Sequence, residues 1–138
     1  LPCSSCRSLR SSPICARAPL FLKMAYNGPK ALEELASYDP TGLIVGILGG
    51  AKGTTRDTFE LIRQGEKYGA RVALFGRKIN FAEHPIELVR LMREVVEGRA
   101  SSLDAVKAYH DALKKGGLTP DRVLADDCQI TDPILTHA

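Results

Sequence analysis

A lysine stands in the middle of an apolar run, where its charge is costly to bury. The stretch FLKMAY, residues 21–26, surrounds Lys23 with aliphatic and aromatic side chains and is typical of a buried strand. Burial removes the hydration of an ammonium group, which lowers the pKa of the amine and leaves it a nucleophile. Such an amine condenses with a carbonyl group to an imine, which stabilises the carbanion formed when a C–C bond breaks. The pattern therefore indicates retro-aldol chemistry; the alternative is a lysine that extends from a strand end to water.

Two glycine segments at the ends of later apolar runs are candidates for binding an anion. Gly49 and Gly50 end the run TGLIVGILGG, and Gly76 with Arg77 ends the run ARVALFGR. Glycine lets backbone N–H groups approach an anion closely, and the start of a following helix favours negative charge. Tight turns use the same glycines, so both interpretations stay open.

The first of these glycine segments does not match the common nucleotide-binding motifs. A Walker A loop requires Gly-Lys-Ser/Thr, but Lys52 lies between Ala51 and Gly53. A dinucleotide fingerprint requires G-x-G-x-x-G, but two residues separate Gly46 from Gly49. Lys52 remains a candidate for a charge contact to a phosphate group.

The elements that must position these residues are predicted from the apolar periodicity. Strands alternate with helices, which is typical of parallel βαβ units. Three strands are too few for an open parallel sheet covered on both faces, so we expect a piece of a larger α/β sheet or barrel. The tail from residue 118 lacks periodicity and is expected to run over the surface. We predict strands within 20–26, 41–50 and 70–77, and helices within 27–40, 54–69, 85–98 and 101–117. A threonine is predicted to cap the helix within 54–69 and Gly69 to end it, and Ser101 is predicted to begin the last helix. The apolar stripe predicted for the helix within 85–98 is Ile86, Val89, Met92 and Val96.

Strand alternation predicts which side chains face the helices. In a (β/α)8 barrel the outer face of every strand is covered by helices and is apolar, and active sites lie at the carboxyl ends of the strands. Lys23 and Arg77 are then predicted to point inward or to the barrel mouth. The side chains predicted to face the helices are Leu22, Met24, Val72 and Leu74.

The lysine and the two glycine segments occur in one order on three successive predicted strands. In this order and spacing the chain resembles the C-terminal part of the class I aldolases of the DhnA type, which are archaeal-type fructose-bisphosphate aldolases of the DeoC/LacD-like superfamily. The resemblance covers residues 19–97 and includes LKMAYNG at 22–28. It implies an α/β fold, a partial (β/α)8 TIM barrel made of the last three βα units, strands six to eight, with a C-terminal helix.

The resemblance also implies a site and a reaction. Lys23 corresponds to the imine lysine, and the substrate is a phosphorylated sugar or a related ketone or aldehyde. No cofactor and no metal is implied, and the intact protein is expected to be a homo-oligomer. The residues that correspond to the phosphate-binding cradle are Gly49, Gly50, Gly76 and Arg77.

Two departures from the family pattern affect the expected activity. Ala51-Lys52-Gly53 stands where the family commonly has Pro-Lys after its glycines. Strands one to five, which in the family carry the acid–base groups, have no counterpart in this sequence. We therefore expect an aldolase-type lyase fragment that is inactive on its own. The alternative is a phosphate- or nucleotide-binding α/β module of flavodoxin-like type, in which Lys23 is only structural.

Other polar residues have simpler interpretations than catalysis. Tyr26, at a strand end, is either an accessory proton donor near the imine or a packing residue at the barrel mouth. His84 is predicted to cap the following helix or face solvent, and His110 to lie on a solvated helix face. Asp126 and Asp127 are predicted to belong to an acidic loop.

Composition excludes several classes of protein. The 138 residues are 44% hydrophobic and 25% charged, which is typical of a globular domain. No apolar run approaches the roughly 20 residues that a membrane span needs. The net charge of +3 comes from three arginines in residues 1–19, and the remainder holds 16 basic and 16 acidic residues. We therefore expect neither a nucleic-acid partner nor a membrane partner.

The first 18 residues differ in composition from the rest of the chain. This head, LPCSSCRSLRSSPICARA, contains Cys3, Cys6 and Cys15. The beginning of a zinc site, a disulfide framework and an organelle transit peptide are alternatives for it. We interpret it as a disordered or unrelated head joined to a barrel portion at 19–138. The single cysteine of the body, Cys128, suits a reducing cytoplasm.

Overall fold

A computed structural model describes residues 20–137 of the chain. The head, with its three cysteines and its predicted disorder, lies outside the described residues. Within them the protein is an α/β fold with a small parallel sheet, as the alternating pattern predicts. No helix in this part of the chain is both long enough and apolar enough to cross a membrane.

The sheet has three parallel strands in the order in which they occur along the chain. They are β1 (Phe21–Met24), β2 (Ile44–Leu48) and β3 (Val72–Leu74). Lys23 pairs with Gly46, and Gly46 pairs with Val72, so these three residues lie at one level across the sheet. The three predicted strands are confirmed, although each is shorter than the apolar run that contains it.

All four predicted helices are present, together with short elements that the sequence did not indicate. The predicted helices are α1 (Pro29–Tyr38), α2 (Thr55–Lys67), α4 (Pro85–Val96) and α5 (Ser102–Lys115). The additional elements are α3 (Arg77–Asn80), α6 (Leu124–Asp127) and a 3-10 helix (Pro133–His137). The residues predicted to begin and end these helices do so. Thr54 caps α2, and Ser101 caps α5. Gly69 has a φ of +102° and follows the end of α2.

The hydrophobic core lies between one face of the sheet and the layer of α2, α4 and α5, which pack on one another. Val45 and Ile47 of the central strand are buried on this face. Helix α2 approaches the strand closely through Gly65, where an added Cβ would lie 2.4 Å from Ile47 Cδ1. The opposite face is open within residues 20–137, where Phe21 is 42% exposed and Val72 is 36% exposed.

The predicted facing of the third strand is wrong. The pairing places Val72 and Leu74 on the open face with Lys23, and Leu74 Cδ1 would lie 3.4 Å from a Cβ added at Gly46. Ala73 pairs with Ile47 and faces the helices instead. The three residues of β3 are all apolar, so their alternation carries no signal that identifies the buried face.

Two further packing predictions are corrected. The face of α4 predicted to pack on the core consists of Ile86, Val89, Met92 and Val96. Of these four residues only Met92 is buried, and the other three are exposed. A second apolar stripe of the same period faces the core instead, and it consists of Leu88, Leu91, Met92 and Val95. The tail does not simply run over the surface, because Asp127 and Leu135 are buried against the rest of the domain.

A buried chain of polar side chains connects β1, α2, α5 and the 3-10 helix. The Tyr26 hydroxyl donates to Gln64 Oε1 at 2.8 Å, and Gln64 Nε2 donates both to Glu60 Oε1 at 3.0 Å and to the Leu135 carbonyl at 2.9 Å. Glu60 also accepts from Ser102 Oγ at 2.6 Å and pairs with Arg63. Burial alone would raise the pKa of Glu60, but these hydrogen bonds outweigh it and lower the pKa to about 2.

The lowered pKa of Glu60 predicts a loss of stability in acid. Glu60 stays ionised in the folded state down to about pH 2, whereas it protonates in the unfolded state near its ordinary value of 4.5. Its stabilisation is therefore complete above pH 4.5 and is lost as the pH falls from 4.5 toward 2. We expect Glu60→Gln to destabilise the fold by about 3 kcal/mol at pH 7 and to flatten this pH dependence.

Urea unfolding at a series of pH values measures both effects. Glu94→Gln is the matched control, because it breaks a surface pair with Arg90 and should cost under about 1 kcal/mol. An unchanged pH profile in Glu60→Gln would show that the buried polar chain is not the source of the acid sensitivity.

Candidate functional site

Lys23 lies on the open face of the sheet. It is the third residue of β1, its side chain is exposed, and the helix-covered core is on the opposite side. The prediction that Lys23 faces away from the helices is thus confirmed. The expectation that its amine is buried is wrong for residues 20–137, because the three strands do not close around Lys23 and its side chain is exposed.

The residues from Gly49 to Gly53, called here the glycine loop, leave the carboxyl end of β2. Gly49 N–H donates to the Leu74 carbonyl at 3.4 Å, which keeps the start of the loop beside β3. Gly50 (φ +66°) and Gly53 (φ +59°) adopt left-handed backbone conformations that disfavour other residues. Within residues 20–137, the N–H groups of positions 50–53 have no hydrogen-bond acceptor. Consecutive free N–H groups in such a loop form a concavity of positive charge that suits an anion.

The second glycine segment lies next to the first. Gly76 precedes α3, and Arg77 is the first residue of that one-turn helix and is exposed. A Cβ added at Gly49 would lie 2.9 Å from the ring of Phe75, the residue before Gly76. The segment after β2 and the segment after β3 therefore lie side by side at Gly49 and Phe75, at the carboxyl ends of the two strands.

The distance between Lys23 and the glycine loop is set by the strand pairing. Lys23 is level with Gly46, and Gly49 lies three residues farther along β2. At about 3.3 Å per residue this separation is about 10 Å along the strand. An extended lysine side chain together with a sugar phosphate of several carbons can bridge it.

The structure places Tyr26 and Lys52 away from the amine of Lys23. Tyr26 is buried in the core and its hydroxyl is bound to Gln64, which agrees with a packing role. Burial, together with the nearby Tyr68 and Glu60, raises the pKa of Tyr26 to about 12. Lys52 pairs with Asp121 at 2.5 Å, so its ammonium group is bound to the C-terminal segment.

Lys78 is a buried cation that the sequence analysis missed. It is only 6% exposed, and its Nζ donates to the Lys52 carbonyl at 3.1 Å. Burial lowers the pKa of Lys78, and the nearby carboxylates of Asp57 and Asp132 partly oppose this shift. No sequence signal identified it, because its acceptor is a loop carbonyl 26 residues earlier in the chain.

The start of α2 is occupied by carboxylates of the protein itself. Thr54 and Asp57 form a reciprocal capping box, and Thr55 N–H donates to Asp127 Oδ1 at 2.8 Å. Asp57 also accepts from the N–H and hydroxyl groups of Thr131. Burial alone would raise the pKa of Asp57, but these hydrogen bonds lower it. Two carboxylates of the protein therefore already accept from the N–H groups of Thr54 and Thr55 at this helix start.

The predictions for His84 and His110 have different outcomes. His84 caps α4 by accepting from Glu87 N–H at 3.2 Å, as predicted. His110 is 3% exposed and its Nε2 lies 2.9 Å from Asp127 Oδ2, so the predicted solvated face is wrong. Asp127 is buried in α6, whereas Asp126 is exposed. The short helix α6 stands where an acidic loop was predicted, and it packs against α5, a contact that no sequence pattern indicates.

A cavity of about 280 Å³ lies behind the glycine loop, and Lys23 is not among its lining residues. Its charges have mixed sign, which does not favour a phosphate group over other ligands. Its lining residues are Lys52, Gly53, Thr55, Glu83, Asp121, Arg122 and Asp127. Within residues 20–137, no three His, Cys, Asp or Glu side chains are grouped so as to hold a metal ion.

Comparison with known proteins does not assign this chain to a family. No family model matches the chain. No curated protein matches it either.

The close packing at Gly49 predicts that the glycines of the site differ in their tolerance of alanine. We expect Gly49→Ala to destabilise the fold by about 1–3 kcal/mol, because the new methyl group overlaps the Phe75 ring and approaches the Lys78 side chain at 3.3 Å. Gly76→Ala is the matched control, since its φ of −82° suits alanine and no atom lies within 4 Å of the added Cβ. Urea unfolding of both variants measures the difference, and equal stabilities would contradict the packing described here.

Proposed function

We propose that this chain carries the C-terminal βα units of a class I aldolase-type (β/α)8 barrel, with Lys23 as the amine that forms an imine with a phosphorylated ketone. The observation that carries the proposal is the placement of Lys23 on the open face of a parallel sheet whose next two strands end in adjacent glycine segments. In a closed barrel this face becomes the interior.

The proposed reaction follows from the amine and the glycine loop. Lys23 Nζ adds to the ketone carbon and water leaves, which gives a protonated imine. The adjacent C–C bond breaks and its electron pair is taken up by the imine, while the hydroxyl of the departing carbon loses its proton to a base. The enamine formed in this step takes up a proton on its carbon, which restores the imine, and hydrolysis of the imine then returns the free amine and releases the ketone product.

The phosphate group of the substrate is proposed to bind at the strand ends. The free N–H groups of residues 50–53 and the guanidinium group of Arg77 are the donors available there. These donors lie about 10 Å along the strand from the level of Lys23. At this separation one sugar can place its ketone carbon at Lys23 and its phosphate group at the strand ends.

Turnover requires proton transfer beside Lys23. Within residues 20–137, no carboxylate, histidine or tyrosine side chain forms a hydrogen bond or ion pair with Lys23. The hydroxyl of Tyr26 is bound to Gln64 on the helix-covered side. We therefore propose that the 138 residues by themselves form the imine but do not turn over substrate.

Borohydride reduction tests the imine directly. We expect reduction in the presence of dihydroxyacetone phosphate to attach a stable adduct to Lys23, which peptide mass spectrometry locates. Lys23→Met should abolish the adduct, and Lys30→Met, which removes another exposed lysine, should leave it unchanged. An adduct on no lysine, or on a different lysine, would remove the assigned role of Lys23. Aldol cleavage by the purified chain would contradict the proposed lack of turnover.

A second candidate function is a phosphate-binding α/β module without catalysis. The observation that favours it is that Lys23 is exposed and that the glycine loop is held by contacts that do not involve Lys23. Both functions predict that Lys23→Met still binds inorganic phosphate. They differ in the adduct, because the binding module forms none even in the unaltered chain.

A further inference from the structure

The carbonyl groups of the glycine loop are bound by two cations from distant parts of the chain. Lys78 Nζ, at the start of α3, donates to the Lys52 carbonyl at 3.1 Å. Arg122, in the segment before α6, donates through its guanidinium group to the Gly53 carbonyl. Two successive peptide groups at the carboxyl-terminal end of the loop are therefore held by their oxygen atoms.

The contact made by Lys78 is built into the packing of the domain. Its side chain is buried and passes Gly49 so closely that an added Cβ there would lie 3.3 Å from Lys78 Cδ. The absence of a side chain at Gly49 thus leaves room for the lysine. Within residues 20–137, the Lys52 carbonyl is the hydrogen-bond acceptor of the buried ammonium group.

The contact made by Arg122 comes with a second attachment of the same segment. Lys52 pairs with Asp121, the neighbour of Arg122, and Asp121 N–H donates to Glu83 Oε1 at 3.0 Å. The loop is therefore attached both to the segment that follows β3 and to the segment that follows α5.

The direction of the carbonyl groups fixes the direction of the N–H groups. In a trans peptide the C=O and N–H bonds point in opposite directions. Because the Lys52 carbonyl points to Lys78, the Gly53 N–H points away from it. The Thr54 N–H, opposite the carbonyl bound by Arg122, is used by Asp57 at 3.1 Å, whereas the N–H groups at 50–53 have no acceptor within residues 20–137.

We infer that Lys78 and Arg122 are positioning residues that hold the glycine loop in the conformation in which its N–H groups bind a phosphate group. This inference rests on the phosphate-binding part of the proposed function and is independent of the imine at Lys23. A loop held in its binding conformation loses less conformational entropy when the anion binds. The two cations act on the backbone and do not need to touch the ligand.

Titration with inorganic phosphate, followed by the amide resonances of residues 50–53, tests the inference on the full chain. We expect Lys78→Met and Arg122→Gln each to weaken binding by about tenfold, since both release a carbonyl of the loop. Arg122→Lys, which keeps a charged donor, should recover part of the affinity. Lys107→Met is the matched control, because it removes an exposed lysine of α5 and should change affinity less than twofold.

The results of this titration do not depend on whether Lys23 forms an imine. Arg122 is exposed, so Arg122→Gln decides the question if Lys78→Met does not fold. The inference would be overturned if Arg122→Gln left the phosphate affinity unchanged. It would also be overturned if Lys78→Met lost no more affinity than Lys107→Met. A chain without phosphate-induced shifts at 50–53 would overturn it together with the proposed cradle, while the borohydride adduct on Lys23 would still report on the imine.

Discussion

Parallel pairing of three short strands determines where every candidate functional group lies. The pairing of Lys23 with Gly46, and of Gly46 with Val72, puts the amine on the open face and brings the ends of β2 and β3 to one edge. A shift of one residue in β1 would turn Lys23 into the helix-covered core and expose Leu22 and Met24. The chemistry proposed for Lys23 therefore depends on the register between β1 and β2.

The C-terminal segment supports the candidate site by binding the backbone around it, and the proposed binding does not require it to touch a ligand. Arg122 and Asp121 bind the glycine loop, Asp127 and Thr131 occupy the start of α2, and Leu135 closes the buried polar chain. These contacts attach the glycine loop and the start of α2 to the C-terminal segment. They also neutralise the helix start that otherwise competes for an anion.

Much of the fold could be predicted from the sequence because its signals are local. Apolar runs predict the three strands, capping residues predict the helix starts, and their alternation predicts the parallel sheet. The facing of β3 could not be predicted, because Val72, Ala73 and Leu74 show no polar alternation. Helix α4 has two apolar stripes, and only the tertiary structure decides which one is buried.

The candidate site was predictable where it consists of glycines and a strand lysine, and not where it depends on distant partners. His110 is buried because Asp127, 17 residues later, meets it in α6. Lys78 is buried because the glycine loop offers it a carbonyl. Neither partner lies within one helical turn or one strand pair of the residue concerned, so no periodic pattern reveals the contact.

The occupied start of α2 also affects how the polypeptide reaches its native state. Thr55 and Asp57 are held by Asp127 and Thr131, which follow them by 72 and 74 positions. A nascent chain that has emerged only as far as α5 lacks both partners, so α2 and the loop before it remain incompletely fixed until residues 127–131 are available. Contacts of such long sequence separation slow folding, because a large chain loop must close before they form. We therefore expect refolding to be slower than the abundance of helix suggests, which stopped-flow measurements on the full chain would show.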